Sequence, residues 1–207
     1  LKRLKTDYID LYQAHRFDYE TPLEETLSAF DDLIRQGKVH YIGFSEWNAE
    51  QISAALKIQD AKGYNRFVSS QPQYSMLWRV IESKVVPLSQ KEGIGQIVWS
   101  PIGQGVLTGK YRNGVPSDSR GASPHFANFV EPYFSDTAKK IVEAVCVAAD
   151  GLGFSPLEVA LSWVRDAPGV TSTLIGARTG AQLRGILTVE QITLPDQVRM
   201  ALNEVSL

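Results

Sequence analysis

Short apolar runs of strand length alternate along this chain with longer stretches in which apolar residues recur at helical spacing. The runs predicted as strands are 8–13, 39–45, 67–71, 95–99 and 169–175. The stretches predicted as helices are 22–36, 49–62, 80–92, 136–152, 156–166, 179–187 and 195–205, and a loop rich in Gly, Pro, Ser and Asn covers 103–134. This alternation of strand and helix predicts a parallel sheet with helices packed outside it.

Residues that begin or end helices support these boundaries. Thr21 is predicted as the N-cap of the first helix, with Pro22 at its first position and Glu24 placed to complete a capping box. Gly37 and Gly63 are placed to end the first and second helices in the left-handed conformation. Either Ser45 or Asn48 could cap the second helix.

Two architectures fit a series of strand–helix units: an open doubly wound sheet, or a (β/α)8 barrel of which about five strands are present. The segments after the early strands contain no Gly-x-Gly-x-x-Gly, which weakens the classical dinucleotide-binding form of the open sheet. The candidate functional residues all follow strands at their carboxyl ends, where a barrel carries its chemistry. We therefore favour the α/β barrel.

The composition narrows the class of protein. The 207 residues are 43% hydrophobic and 21% charged with a net charge of −2, which is typical of a globular domain and gives no basic surface for nucleic acid. The chain has neither an apolar run of about 20 residues nor the apolar core of a signal peptide. We therefore expect a single cytoplasmic domain over residues 1–207 with no membrane or nucleic-acid partner. The chain does not begin with Met, which suggests that it starts inside a longer protein.

Metal and disulfide chemistry have no support in this sequence. A single cysteine, Cys146, rules out an intrachain disulfide and a cysteine-based metal site, and its place in an apolar helical stripe favours core packing over a nucleophilic role. The His-Glu-x-x-His pattern, the P-loop and Gly-x-Ser-x-Gly are all missing. We therefore predict no metal ligands.

The segment 97–111 carries the strongest chemical signal. It begins as an apolar strand, continues through Trp99 and Ser100-Pro101 into a glycine-rich turn, and ends at Lys110. A nucleotide cofactor needs these parts in this order: an aromatic ring to stack on a heterocycle, small residues that let a phosphate approach, and a cation. A second strand, small-residue turn and arginine, at Ile175-Gly176-Ala177-Arg178, agrees with it.

Three polar residues at earlier strand ends are further candidates. His15 is a candidate catalytic residue, although a lone histidine is weak evidence and the alternative is a histidine that bonds a loop carbonyl. Ser45 and Gln71 could bind the carboxamide of a nicotinamide, since a glutamine side chain is both donor and acceptor, or they could be a helix cap and a turn residue. Trp99 could instead be a packed residue at the rim of the barrel, and Arg178 could instead be a solvated surface arginine.

Together these segments resemble the aldo-keto reductase superfamily over essentially the whole chain. The motifs that carry the resemblance are TDYIDLYQAH (6–15), GFS (43–45), QPQY (71–74), WSP (99–101) and IGAR (175–178). The resemblance is greatest to the branch related to potassium-channel β-subunits, through TPLEET (21–26), RQGK (35–38) and GVLTGKY (105–111).

The resemblance implies a (β/α)8 TIM barrel that binds NADPH across its carboxyl mouth and reduces a small aldehyde or ketone. In that family a tetrad of Asp, Tyr, Lys and His acts on the carbonyl, and His15 matches the His. Ser45 and Gln71 match the carboxamide contacts, and Trp99 matches the ring that stacks on the nicotinamide. The pyrophosphate loop is matched by Ser100, Pro101, Ile102, Gly105 and Lys110, and the adenosine 2′-phosphate segment by Gly176, Arg178 and Gln182.

The chain also departs from the family pattern. The Asp, Tyr and Lys of the tetrad come from the first three βα units, so we expect the chain to supply about the last five units and to be inactive alone. Glu46, Gly185 and Ile186 replace residues that the family often has in the carboxamide and adenine contacts. The alternative function is a nucleotide-binding, channel-associated β-subunit with little turnover. The presence of His15, which that group tends to lack, favours the enzyme. As partners, we expect a small carbonyl substrate and either a homo-oligomer or a missing N-terminal segment.

Overall fold

The computed structural model describes all 207 residues and contains five β-strands. They are β1 (Ile9–Ala14), β2 (Val39–Ser45), β3 (Ser69–Gln71), β4 (Gly95–Val98) and β5 (Val170–Thr173). β1 to β4 pair in parallel, with Tyr12 opposite Ile42 and Phe44 opposite Ser70. Leu174, directly after β5, donates its N–H to the carbonyl of Val98 at 2.8 Å.

The strands follow one another in the sheet in the order β1-β2-β3-β4-β5, which is also their order in the chain. An open doubly wound sheet reverses its strand order at a switch point, whereas successive (β/α) units of a barrel do not. The observed order is that of consecutive barrel units, as predicted, and about five such units are present.

Eight α-helices lie between and after the strands. They are α1 (Leu23–Arg35), α2 (Ala49–Lys62), α3 (Val85–Glu92), α4 (Ala127–Val130), α5 (Asp136–Leu152), α6 (Pro156–Arg165), α7 (Gly180–Leu187) and α8 (Asp196–Val205). Short 3-10 helices occupy Val80–Glu82, Gly103–Thr108, Arg120–Ala122, Glu131–Phe134 and Thr188–Gln191. No single helix is long and apolar enough to cross a membrane; α5 and α6 reach that length and composition only as a pair, with a bend of 102° between them.

The chain forms two compact units. Unit 1 comprises Leu1–Pro72 and Ile81–Ile97, and unit 2 comprises Gln73–Val80 and Val98–Leu207. In unit 1 the side chain of Phe44 stacks on Trp47 and meets Phe67 edge-on, with ring centroids 5.2 Å apart in both pairs. In unit 2 the buried side chains come mainly from α5, α6 and the 3-10 segment Gly103–Thr108, and include Leu107, Val145 and Trp163.

Several predicted boundaries need correction. Thr21 does not cap α1: the residue before the helix is Pro22, no side chain caps the helix, and the Thr21 hydroxyl donates to the carboxylate of Asp18 at 2.7 Å. The predicted helix 80–92 is interrupted at Lys84, whose φ of −136° is not helical. The predicted loop 103–134 contains four short helical segments, since i to i+3 bonds need only local turns.

Candidate functional site

The first three strands of unit 1 end at the same level, and each end carries a predicted site residue. Ser45 and Gln71 are the last residues of β2 and β3 and lie opposite each other in the sheet. His15 directly follows Ala14, which lies opposite Phe44, the neighbour of Ser45. The register therefore brings His15, Ser45 and Gln71 to one edge of unit 1, with His15 exposed and Ser45 buried.

The hydroxyl of Ser45 links two of these strand ends. It donates a hydrogen bond to the backbone carbonyl of Gln71 at 2.8 Å, and Ser45 Oγ itself accepts from Arg16 Nη1 at 3.5 Å. Arg16 also donates to the carbonyl of His15 at 3.3 Å. Of the two candidate caps for α2, Asn48 is the one that forms a capping box, with Gln51, so Ser45 is not needed for that role. Its contact with a carboxamide stays a prediction.

Below this edge a polar pair crosses β2 at a glycine. Ser69 Oγ lies 3.3 Å from Gln13 Oε1, with Gly43 on the strand between them. A Cβ at position 43 would stand 2.1 Å from Ser69 Oγ and 2.9 Å from Gln13 Oε1. Because no side chain fits there, Gly43 is what allows Gln13 and Ser69 to meet. The strand-end residues thus rest on a polar layer that the sequence analysis did not identify.

In unit 2, Trp99 directly follows β4 and is held by backbone bonds. It pairs with Gln73 in an isolated parallel bridge, and its carbonyl accepts from the N–H of Tyr74 at 3.1 Å. The Gln73 amide also donates to the hydroxyl of Tyr133. Burial raises the pKa of Tyr133, while the bond from Gln73 opposes that rise, so this phenol stays protonated at neutral pH.

The turn after Trp99 consists largely of residues in the left-handed region. Gly103, Gln104 and Gly105 have φ values of 52°, 58° and 94° in succession, and Ser100 and Gly109 also have positive φ. The side chain of Lys110 folds back over this turn, so that a Cβ at position 105 would lie 2.9 Å from Lys110 Nζ. Such a curled run of small residues under an ammonium group is a typical anion site and fits the pyrophosphate of a nucleotide.

Arg178 and Gln182 lie together at the start of α7. Thr179 caps this helix by accepting from Gln182 N–H, and the Gln182 side chain accepts from the N–H of Arg178 at 2.8 Å. The guanidinium of Arg178 is exposed and donates to the carbonyl of Asp118 at 3.4 Å. An exposed guanidinium at a helix N-terminus can bind a phosphate. A Cβ at Gly176 would meet nothing within 4 Å, so packing does not require that glycine.

Sequence reasoning missed a second cation beside the glycine-rich turn. Arg120 donates to the side chain of Gln104, which in turn donates to Ser100 Oγ at 2.5 Å. The guanidinium also lies over the ring of Phe126, 5.4 Å from its centroid. The sequence shows that a cation follows Lys110 in the loop, but this is equally true of Arg112, which pairs with Glu143 and not with the turn. The sequence therefore could not tell which of the two arginines lies beside the turn.

The predicted site residues therefore form two clusters in unit 2 and one in unit 1. His15, Ser45 and Gln71 share an edge of unit 1; Trp99 to Lys110 form the turn, and Arg178 with Gln182 form the helix start. No group of three or more His, Cys, Asp or Glu side chains that could hold a metal ion is present. Cys146 is buried, and this burial raises the pKa of its thiol, although the nearby Arg112 opposes the shift.

Comparison with known proteins shows the family to which this chain belongs. The profile described as the Aldo/keto reductase family matches residues 1–206, and the chain belongs to that family.

The chain is 38% identical over 186 residues to a protein named "Probable voltage-gated potassium channel subunit beta" from Arabidopsis thaliana, covering 89% of this chain and 57% of that protein. It is 37% identical over 185 residues to a protein of the same name from Oryza sativa subsp. japonica, covering 88% and 56%. It is 34% identical over 211 residues to "Uncharacterized oxidoreductase YrpG" from Bacillus subtilis, covering 99% and 60%. The chain thus spans somewhat more than half the length of these relatives.

Proposed function

We propose that this protein is an NADPH-dependent aldo-keto reductase that reduces aldehydes or ketones to alcohols. The observation that carries the proposal is the turn after β4, where left-handed residues curl beneath Lys110 Nζ next to a strand-end tryptophan. Membership of the aldo/keto reductase family and the similarity to an oxidoreductase of Bacillus subtilis support it.

The residues of unit 2 would bind the nucleotide. Trp99 would stack on the nicotinamide ring, and the turn of Ser100, Pro101, Ile102 and Gly105 would surround the pyrophosphate while Lys110 neutralises its charge. The exposed guanidinium of Arg178 would bind the adenosine 2′-phosphate, with Gln182 and Gly176 beside it. When bound, the nucleotide supplies the hydride.

The residues of unit 1 would orient the reacting groups. The Gln71 side chain offers a donor and an acceptor, which suits the carboxamide of a nicotinamide. Since the proton of Ser45 is given to the carbonyl of Gln71, Ser45 Oγ is left as an acceptor. His15, exposed at the end of β1, would donate a hydrogen bond to the carbonyl oxygen of the substrate, where negative charge develops during reduction.

A cofactor titration and a reduction assay on the full-length protein test this proposal. NADPH is titrated by its fluorescence, and its oxidation is then followed with 4-nitrobenzaldehyde as the carbonyl. We expect saturable binding, turnover within reach of the roughly 10 per second of a median enzyme, and weaker binding in Lys110→Ala. The matched control is Arg112→Ala, which removes a cation two residues away that pairs with Glu143. Failure of the wild-type protein to bind NADPH contradicts the proposal.

The alternative is a nucleotide-binding regulatory subunit with little turnover. The names of the Arabidopsis and rice relatives, which describe them as channel subunits, favour it. The same assay separates the two functions: NADPH binding with negligible oxidation for a panel of aldehydes and ketones supports the regulatory protein, and steady turnover supports the enzyme.

A further inference from the structure

The position of Trp99 depends on the segment Gln73–Val80, which belongs to unit 2. Gln73 forms the bridge to Trp99, and the N–H of Tyr74 binds the Trp99 carbonyl at 3.1 Å. This pairing fixes the backbone of Trp99, the residue after β4, against the segment. Whatever holds residues 73–80 in place therefore also determines where the Trp99 ring can lie.

A stack of aromatic and cationic groups holds that segment against Trp163 of α6 and the end of α8. The ring of Tyr74 stacks on Trp163, with centroids 5.4 Å apart and an angle of 30° between the planes. The guanidinium of Arg79 lies over the same Trp163 ring, 5.3 Å from its centroid. Arg79 Nη1 donates to the carbonyl of Asn203 at 2.8 Å and to Ser206 Oγ at 2.9 Å, and Trp163 Nε1 donates to the side chain of Asn203 at 2.8 Å.

We propose that Arg79 is a positioning residue for Trp99, acting through Trp163 and Tyr74 from the end of α8. The inference rests on the proposed function, in which Trp99 stacks on the nicotinamide. Arg79 itself need not contact the cofactor. The C-terminal helix thereby sets the affinity for NADPH although none of its residues is assigned to the cofactor site.

The chemistry of the contact requires an arginine. The last carbonyls of a helix lack intrahelical partners and carry the negative end of the helix dipole, so a cation there is stabilising. Arg79 Nη1 donates to both the Asn203 carbonyl and Ser206 Oγ while the flat face of the guanidinium lies on the Trp163 ring, and only a planar cation provides that face. A lysine keeps the charge but offers a single ammonium and no flat face.

A second arginine provides a matched control. Arg199 also ties α8 to α6, because it donates to the carbonyls of Trp163 and Ser162 at 3.0 and 3.1 Å. It also forms an ion pair with Asp166. No bond from Arg199 to residues 73–80 is present, so Arg199→Ala should weaken the docking of α8 without moving the segment that pairs with Trp99. Arg79→Ala should do both.

The experiment measures NADPH affinity, kcat and thermal stability for the full-length protein with Arg79→Ala, Arg199→Ala, Trp99→Ala and the double variant Arg79→Ala/Trp99→Ala. We expect Arg79→Ala and Trp99→Ala each to weaken NADPH binding about tenfold, as for the loss of one aromatic stacking contact. The double variant should bind no worse than Trp99→Ala alone, because Arg79 acts through that ring. Arg199→Ala should lower the melting temperature but leave the affinity unchanged.

Two results would overturn the inference: an Arg79→Ala affinity equal to that of Arg199→Ala, or losses that add fully in the double variant. If Arg79→Ala fails to fold, Arg79→Lys and Ser206→Ala take its place. Each should weaken NADPH binding less than tenfold. Combined with Trp99→Ala, neither should weaken binding beyond the loss caused by Trp99→Ala alone. Unchanged NADPH affinity in Trp99→Ala is a different result, since it contradicts the proposed function of Trp99 itself.

Discussion

Lys110 Nζ lies so close to the backbone of Gly105 that a Cβ atom at position 105 would stand only 2.9 Å from it. The glycine is also required by the backbone, because its φ is 94°. The two residues therefore depend on each other: the missing side chain at 105 leaves the space in which the ammonium group is held over the turn.

Replacing Gly105 with alanine should weaken NADPH binding by displacing Lys110. The backbone strain of a side chain at positive φ costs about 1–2 kcal/mol in stability, and the flexible lysine moves away from the new methyl group. We expect roughly a tenfold higher Kd in a fluorescence titration, as for the loss of one charge-assisted contact. Gly153→Ala is the control, since its φ is 72° and its Cβ would meet nothing within 4 Å. An equal rise in Kd for the control would assign the effect to general destabilisation.

Arg178→Ala should reduce the preference for NADPH over NADH. Losing a hydrogen-bonded charge pair costs about 1.5–3 kcal/mol, or roughly 10- to 150-fold in affinity for NADPH, and NADH has no 2′-phosphate to lose. Lys110→Ala should weaken both nucleotides alike, because the pyrophosphate is common to them. Titration of both variants with both nucleotides checks this, with Arg184→Ala on α7 as the control. Equal losses of NADH and NADPH in Arg178→Ala would show that Arg178 does not bind the 2′-phosphate.

His15→Ala should lower the rate of carbonyl reduction much more than the affinity for NADPH. A donor that acts on developing charge contributes on the order of 10²-fold to the rate, whereas a residue beyond the cofactor contributes little to its binding. Steady-state kinetics and NADPH titration together check this. The control is His40→Ala, since His40 lies within β2 and packs against Tyr8. An unchanged rate with weaker NADPH binding would assign His15 to the cofactor site.

The pH dependence of stability should include a contribution from Asp31. Burial tends to raise the pKa of Asp31, but hydrogen bonds from Asn65 and the pairing with Arg35 outweigh it and hold the pKa below the usual 3.8. A lowered pKa in the folded state means that this stability is fully present above about pH 4 and is lost as the pH falls below 3.8.

Asp31→Asn should therefore cost about 1.5–3 kcal/mol at pH 7, the usual value of hydrogen bonds to a charged group, and less at pH 3. Urea unfolding at both pH values measures the difference. Asp32→Asn, at an exposed position on the same helix, is the control. A cost for Asp31→Asn that is the same at both pH values would contradict the ionic role of this carboxylate.

Elements bounded by local signals were predicted well. The predicted bounds of β2, α2 and α5 agree with the structure at every residue. Their ends are set by neighbours in the chain, such as Asn48, which caps α2, and Gly63, which ends it in the left-handed conformation. Because capping bonds span only three or four residues, the sequence of a short window is sufficient to determine them.

The cap of α1 could not be decided in the same way. Thr21 and Glu24 have the spacing of a capping box, yet the Thr21 hydroxyl donates to Asp18, whose carboxylate also accepts the N–H of Glu20. In a capping box the backbone N–H of Thr21 would bind Glu24, but Asp18 accepts that N–H as well as the proton of the Thr21 hydroxyl. The outcome depended on the path of the chain between β1 and α1.

The amino-acid sequence by itself determined the βα order, the strand-end positions of His15, Ser45 and Gln71, and the glycine-rich turn that ends at Lys110. These follow from periodicity and from residues whose conformational preferences act locally. Only the tertiary structure decided that Gly43 admits the contact of Gln13 with Ser69, that Arg120 rather than Arg112 reaches the turn, and that Arg79 binds Asn203, 124 residues away. The reason is physical: an arginine or glutamine can reach many partners, and packing between elements distant in the chain selects one of them.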